Sequence, residues 1–277
     1  MLHKPKLGQN FLVDAGAAAR IAAALGDLTG STVVEIGPGR GAITGTLAAR
    51  AERVLAVELD HELADGLRKR FDAGRLTVIE QNVLDFDFAA VAAEAGKQLL
   101  VAGNLPYYIT SPILRKLAAS HAAIQAAVLM VQREVAERTT AAAGSRAYGL
   151  LSAIVQLHGP AELLFTLPPS AFSPPPKVDS TVFRWRFAPR FAELGVEEDS
   201  FLSFLRQAFA QKRKTIGNNL RAAGVAPACA AAALARAGVD AQARAEALPL
   251  ETLAALWRAV RATAAPERQV PSPQPCA

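Results

Sequence analysis

The chain has 277 residues, 51% of them hydrophobic and 20% charged, so it can bury a sizeable core and is not disordered as a whole. Its two cysteines, Cys229 and Cys276, exclude a disulfide framework and a Cys-rich zinc site, and its four histidines show no metal-ligand spacing. A net charge of +5 permits a polyanionic partner without requiring one.

Short runs rich in Val, Ile and Leu predict strands at Thr32–Ile36, Val54–Glu58, Leu76–Ile79, Leu99–Ala102 and Val128–Gln132. Ala- and charge-rich stretches such as Leu47–Arg50, Leu63–Phe71 and Ile113–Ala119 lie between them with helical spacing. Near-continuous apolar strands alternating with helices imply a parallel sheet covered on both faces. Leu163–Leu167 and Val178–Phe187 predict two more strands, the last partly alternating polar with apolar, as suits an antiparallel strand at one side. From Glu198 to Ala262 only helical stripes remain, at residues 201–205, 230–237 and 253–260, separated by Gly217, Gly224 and Gly238. Residues 266–277 hold four prolines and read as a disordered tail. No apolar run approaches the roughly 18 residues of a membrane span, the best stretch being broken by Gln125. The two lysines of the first ten residues are followed by no apolar run, so a cytoplasmic protein without a signal peptide is expected.

The first chemical signal is Val33-Val34-Glu35-Ile36-Gly37-Pro38-Gly39-Arg40-Gly41, an apolar strand entering a tight glycine turn. Glycines allow close backbone approach to a ligand, and the crevice beyond the strand ends is where open α/β sheets bind ligands. Alone, the run fits a plain strand–turn–helix junction as well as it fits a nucleotide site. Glu35 would oppose a pyrophosphate but suits a ligand carrying positive charge. Glu58 closes the next strand, about 20 residues beyond the glycines, where an acid accepts both hydroxyls of a ribose. A ribose, a cationic centre and no phosphate describe S-adenosylmethionine.

The second signal is Gly103-Asn104-Leu105-Pro106-Tyr107-Tyr108, at the end of the fourth strand and therefore beside the same crevice. Two of the three tyrosines in the chain are here. The exocyclic nitrogen of adenine is a poor nucleophile because its lone pair is delocalised into the ring. Fixed acceptors for its amino protons favour a pyramidal nitrogen and stabilise the positive charge that develops on attack. The Asn104 side-chain oxygen and the Leu105 carbonyl are such acceptors, Pro106 stiffens the backbone, and Tyr107 offers a face for stacking. An ordinary Asn-x-Pro turn at a strand end is the competing account of these residues, weakened by their position opposite the glycine loop.

With Gly8-Gln9-Asn10-Phe11-Leu12, with Pro169 to Ser180 (PSAFSPPPKVDS) and with Gln211-Lys212-Arg213-Lys214-Thr215, these motifs resemble the ribosomal RNA adenine N6,N6-dimethyltransferases, most closely the bacterial small-subunit (16S) group linked to kasugamycin sensitivity. The resemblance spans about residues 5 to 262, with the motifs in the expected order.

It implies an α/β fold: a Rossmann-like class I methyltransferase domain with a mostly parallel seven-stranded sheet over residues 1–188. A small all-helical RNA-binding domain over 196–262 would follow, then the tail at 266–277. The implied reaction is S-adenosylmethionine-dependent dimethylation of two adjacent adenosines near the 3′ end of 16S rRNA in the small (30S) ribosomal subunit, by a monomer. Asn10 and Leu12 would form a flap over the cofactor, Gly37 and Gly39 would back its methionine part, and Glu58 would hold its ribose. Asn104, Leu105, Pro106 and Tyr107 would be catalytic, with Asn104 also touching the cofactor. Phe172 would stack on the target adenine opposite Tyr107.

One position departs from the family pattern. Asn82 stands where an acid usually holds the cofactor's adenine amino group; its amide oxygen can still accept that bond, without the charge. Lys212, Arg213, Lys214 and Arg221, with Asn218 and Asn219, form the densest basic and polar cluster. On a helix they would offer phosphate contacts, although a run of three basic residues is more often a solvated face. Lys4, Lys6, Arg115, Lys116 and Lys177 are further candidates. The rivals are a 23S rRNA adenine methyltransferase and a non-catalytic rRNA-binding assembly factor.

Overall fold

The computed structural model describes residues 9–71 and 74–264. Gly8, Lys4, Lys6, Cys276 and the proline-rich tail lie outside the described residues.

Seven strands form one sheet: β2 (Thr32–Ile36), β3 (Arg53–Glu58), β4 (Leu76–Glu80), β5 (Leu99–Asn104), β6 (Ile124–Gln132), β7 (Ala161–Leu167) and β9 (Ser180–Arg186). A two-residue pair, β1 (Phe11–Leu12) with β8 (Phe172–Ser173), lies outside it. The sheet runs β4-β3-β2-β5-β6-β9-β7. The five strands β4-β3-β2-β5-β6 run parallel to one another; β9 is antiparallel to both β6 and β7. The order reverses at β2, which pairs with β3 on one side and β5 on the other. That reversal opens a crevice beyond the carboxyl ends of β2, β3 and β5.

The sequence explains these strands. Every residue of Thr32–Ile36 is buried, because helices cover both faces, and its apolar run needs no alternation. Glu35 is the one charge in that strand. The helices start where their caps stand. The side chains of Asp14, Asp60 and Asp87 accept from backbone N–H groups of the first turns of Ala15–Ala24, His61–Arg70 and Phe88–Ala95. β6 is longer than predicted and takes in most of the apolar stretch around residues 122–131. The edge strand β7 is buried fully only at Leu167.

The described residues divide into two compact units: those up to Ala141 with Leu151–Arg190, and Ala142–Leu150 with those from Phe191 on. The second unit is all helical, with helices at Phe191–Leu194, Glu198–Ala208, Ile216–Ala222, Pro227–Arg236 and Leu250–Ala264. Phe201 is fully buried there, its ring 6.0 Å from that of Phe204 and 5.9 Å from that of Trp257. A single boundary near residue 190 misses the part played by Ala142–Leu150. Gly144 N–H donates to the Glu246 carbonyl at 2.8 Å, and the buried Tyr148 ring lies 6.1 Å from that of Phe209. Among the described residues no helix is long and apolar enough to cross a membrane.

Candidate active site

The glycine turn sits at the sheet's reversal. Gly37 N–H donates to the Val57 carbonyl at 3.0 Å, tying the turn to β3. Gly37 and Gly39 have φ of 62° and 57°, the left-handed region where a side chain is strained. At Gly39 a Cβ would also stand 3.0 Å from the Phe11 ring. Gly103 meets a different demand: a Cβ there would lie 2.6 Å from the Ile36 carbonyl oxygen. Its absence lets β5 run close against β2 and delivers Asn104 to the mouth of the turn.

Two carboxylates face this crevice in different states. Glu58 is 4% exposed. Its Oε2 accepts from Gly39 N–H at 3.0 Å, and its Oε1 from Leu59 N–H at 2.9 Å and Asp60 N–H at 3.0 Å. Burial raises its pKa, and the three backbone donors oppose that rise. An ionised carboxylate has about four acceptor sites, so hydroxyl donors can still be received. Glu35 is 1% exposed, and its Oε2 has no hydrogen-bond partner among the described residues. Burial pushes it up to about 7, with the Thr44 hydroxyl opposing the rise and the Glu58 charge adding to it. Arg40, the cation of this cleft, lies 4.5 Å over the Phe11 ring.

The Asn104 amide is oriented. Its Nδ2 donates to the Asn10 carbonyl at 3.0 Å. A carbonyl can only accept, so the nitrogen must face Asn10 and the oxygen is left as an acceptor. Leu105 N–H donates to the Met130 carbonyl at 3.0 Å, and no donor among the described residues takes the Leu105 carbonyl. The Pro106 carbonyl is taken by Thr110 Oγ1 at 3.0 Å and Ile109 N–H at 3.2 Å. The Tyr107 ring is half-buried, and its hydroxyl shares a hydrogen bond of 2.6 Å with Ser180 Oγ.

These groups line a cleft that takes in Asn10, Leu12, Glu35, Gly37, Gly39, Glu58 and Asn104 to Tyr107. A second slot shares Gln9, Gly37, Glu58 and Pro106 with it and is lined also by Asn82, Val83, Leu59, Ile113 and Tyr108. The Asn82 side-chain oxygen already accepts from Leu84 N–H at 3.0 Å, capping a short turn. Leu59 and Tyr108 are 51% and 56% exposed and border this slot. Sequence reasoning missed both. The doubled Tyr after Pro106 signalled one of them.

Phe172 departs from its predicted place. It is 4% exposed and packs in the core cluster that holds Leu12, Ala18 and Ile21. It is not among the residues lining the cleft. Its backbone pairs with Leu12, so an aromatic ring on a proline-rich loop fills the core beneath that loop. The basic cluster also differs. Gln211–Lys214 form an exposed turn, and the helix begins only at Ile216. Lys212, Arg213, Lys214 and Arg221 are exposed, and Arg221 bonds to Asn218. Asn219 is buried instead, donating to the Ala208 carbonyl at 2.7 Å and the Gln211 carbonyl at 3.3 Å. It braces the basic turn and is not free for phosphate.

The residues present fit a cationic nucleoside cofactor: left-handed glycines, a ribose-height acid, an unmatched buried carboxylate, and no phosphate cradle. With the reversed parallel sheet they define a class I methyltransferase. Residues 2–260 match the family described as ribosomal RNA adenine dimethylase. The chain belongs to this family of S-adenosylmethionine-dependent methyltransferases, whose substrate is ribosomal RNA.

It is 61% identical over 257 residues to the ribosomal RNA small subunit methyltransferase A of Acidobacterium capsulatum, covering 92% of this chain and 90% of that one. The crystal structure of a dimethyladenosine transferase from Plasmodium falciparum shares the fold at a TM-score of 0.76, with 24% identity over 91% of this chain and 98% of that one. The 23S rRNA methyltransferase ErmE superposes at a TM-score of 0.69, with 26% identity over 91% of this chain and all of that one.

Proposed function

We propose that this protein dimethylates N6 of two adjacent adenosines near the 3′ end of 16S rRNA, in the small ribosomal subunit, as a cytoplasmic monomer. The 61% identity to a small-subunit methyltransferase, against 26% to a 23S enzyme, supports the substrate. The observation that carries the chemistry is the Asn104 amide, whose nitrogen is committed to Asn10 and whose oxygen is left as an acceptor.

Gly37, Gly39, Glu58 and Asn82 would hold the cofactor, with Asn10 and Leu12 as its cover and the Asn104 backbone beside Gly37. Glu35 lies where the cofactor's positive charge has an unmatched partner. When bound, S-adenosylmethionine supplies a methyl carbon activated by a sulfonium. The chain's own residues prepare the nucleophile. The Asn104 oxygen and the Leu105 carbonyl each accept one N6 proton of the target adenine, which localises the lone pair on nitrogen. Tyr107 supports one face of the base, which leaves its stack in the RNA to reach the cleft. No strong general base is required before attack, because the N6 proton becomes acidic only as the new bond forms.

The acceptor pair also accounts for the order of events at one base. Unmethylated adenine satisfies both acceptors and the monomethyl form satisfies one. The dimethyl product satisfies neither, which weakens its hold on the site.

Phe172 stacks opposite Tyr107 in this proposal only if the loop ahead of β9, residues 168–179, shifts, since its ring is packed in the core. Lys212, Arg213, Lys214 and Arg221 would meet RNA phosphates. The test is tritiated methyl transfer to undermethylated 30S subunits, with 23S rRNA in parallel, followed by nucleoside analysis. N6,N6-dimethyladenosine in 30S alone is the expected result; transfer to 23S alone would overturn the substrate, and no transfer to either would overturn the reading.

A further inference from the structure

Ser180 closes the proline-rich motif of the sequence, and the chemistry above gives it no part. It is the first residue of β9 and is fully buried, paired by register with Gln132 of β6 and Leu167 of β7. Its hydroxyl therefore stands on a strand held from both sides. That hydroxyl meets the Tyr107 hydroxyl at 2.6 Å. Tyr107 follows Pro106, whose carbonyl is doubly occupied, so the backbone end of the tyrosine is fastened too. The phenol oxygen stands at the far end of the side chain, on the axis about which the ring itself turns. Anchoring it on a rigid strand holds the rotamer about the Cα–Cβ bond, and with it the direction in which the ring points.

We infer that Ser180 is a positioning residue for methyl transfer: its hydroxyl fixes where the Tyr107 ring points, and through that ring the placement of the target adenine. An error in that placement moves N6 away from its two acceptors and out of line for attack, so it slows the chemical step more than it weakens binding.

This inference rests on the proposed reaction at Tyr107, and a double-mutant cycle on the full chain tests it. Ser180→Ala, Tyr107→Phe and the double variant are assayed with undermethylated 30S subunits. Each single variant is expected to lose about tenfold in kcat, the scale of one well-placed hydrogen bond. The double variant should lose the same factor and no more, because both substitutions sever one bond. KM for the subunit and the affinity for S-adenosylhomocysteine should stay within about twofold of wild type.

A double variant whose losses multiply, to about a hundredfold, overturns the inference. So does full kcat in Tyr107→Phe, which cuts the bond from the more exposed side and decides the matter even if Ser180→Ala fails to fold. An inactive wild-type chain instead overturns the underlying reaction.

Discussion

Replacing Glu35 with Gln separates what the fold wants from what the site wants. Glu35 is buried, carries an unmatched oxygen, and has its pKa moved from an ordinary 4.5 to about 7. An acid raised in this way keeps its proton in the folded protein while the unfolded chain has already released it. Stability from this group is full below pH 4.5 and is lost as pH rises through 7. The loss amounts to about 3 kcal/mol above pH 7, a large part of an ordinary domain's margin. Glu58, also raised, acts in the same direction.

Gln has the shape of the protonated acid and nothing to ionise. Cofactor-free Glu35→Gln should therefore exceed wild type in urea stability by up to about 3 kcal/mol at pH 8, the gap closing by pH 5. Adding S-adenosylmethionine should reverse the ranking at pH 8, since its cationic centre pairs with the ionised Glu35 of wild type and gives binding free energy that the variant forfeits. Urea melts at the two pH values, with and without ligand, measure all four quantities. A variant less stable than wild type at pH 8 without ligand would refute the reasoning, because Glu35 would then be an ionised, satisfied group of the fold.

Four further outcomes follow from the geometry. Asn104→Ala should reduce methyl transfer about 100- to 1,000-fold, the cost of one preorganised polar contact, in the tritium assay. Gly39→Ala, at φ 57° and with Phe11 in the way, should cost about 1–2 kcal/mol in backbone strain and weaken S-adenosylhomocysteine binding in calorimetry. Lys212→Ala with Lys214→Ala should leave cofactor affinity intact and lower the salt dependence of RNA binding by about two phosphate contacts. Phe172→Ala should lower stability by about 3–5 kcal/mol in thermal or urea melts, as a core deletion; unchanged stability with lost activity would instead support a stacking ring.

The sheet was readable because strands buried on both faces leave apolar runs that no neighbour disguises. Glu58 was readable because its distance from the glycines is set by one strand–helix–strand unit. The role of Glu35 was only half visible: its charge in an apolar strand was plain, its unpaired Oε2 was not. Phe172 reads alike as plug or platform, since a proline-rich loop can hold an aromatic ring inward or outward. Asn219 sat among basic residues and passed for surface, while its helix turned it toward the Ala208 carbonyl. Ala142–Leu150 has no apolar period, and its place with the helical unit rests on contacts with Phe209 and Glu246, far along the chain. Ser180 was recorded in a motif, but only the folded chain brings it to Tyr107.

The pairing of Phe11–Leu12 with Phe172–Ser173 has a consequence for how the protein is made. The glycine turn and its two acids emerge early from the translating ribosome, yet the lid above them has no strand to rest on until the proline-rich loop has followed. A chain cut anywhere between these two points lacks the partner strand of Phe11–Leu12, so the segment that crosses the glycine turn at Phe11 loses both of its ladder partners at once.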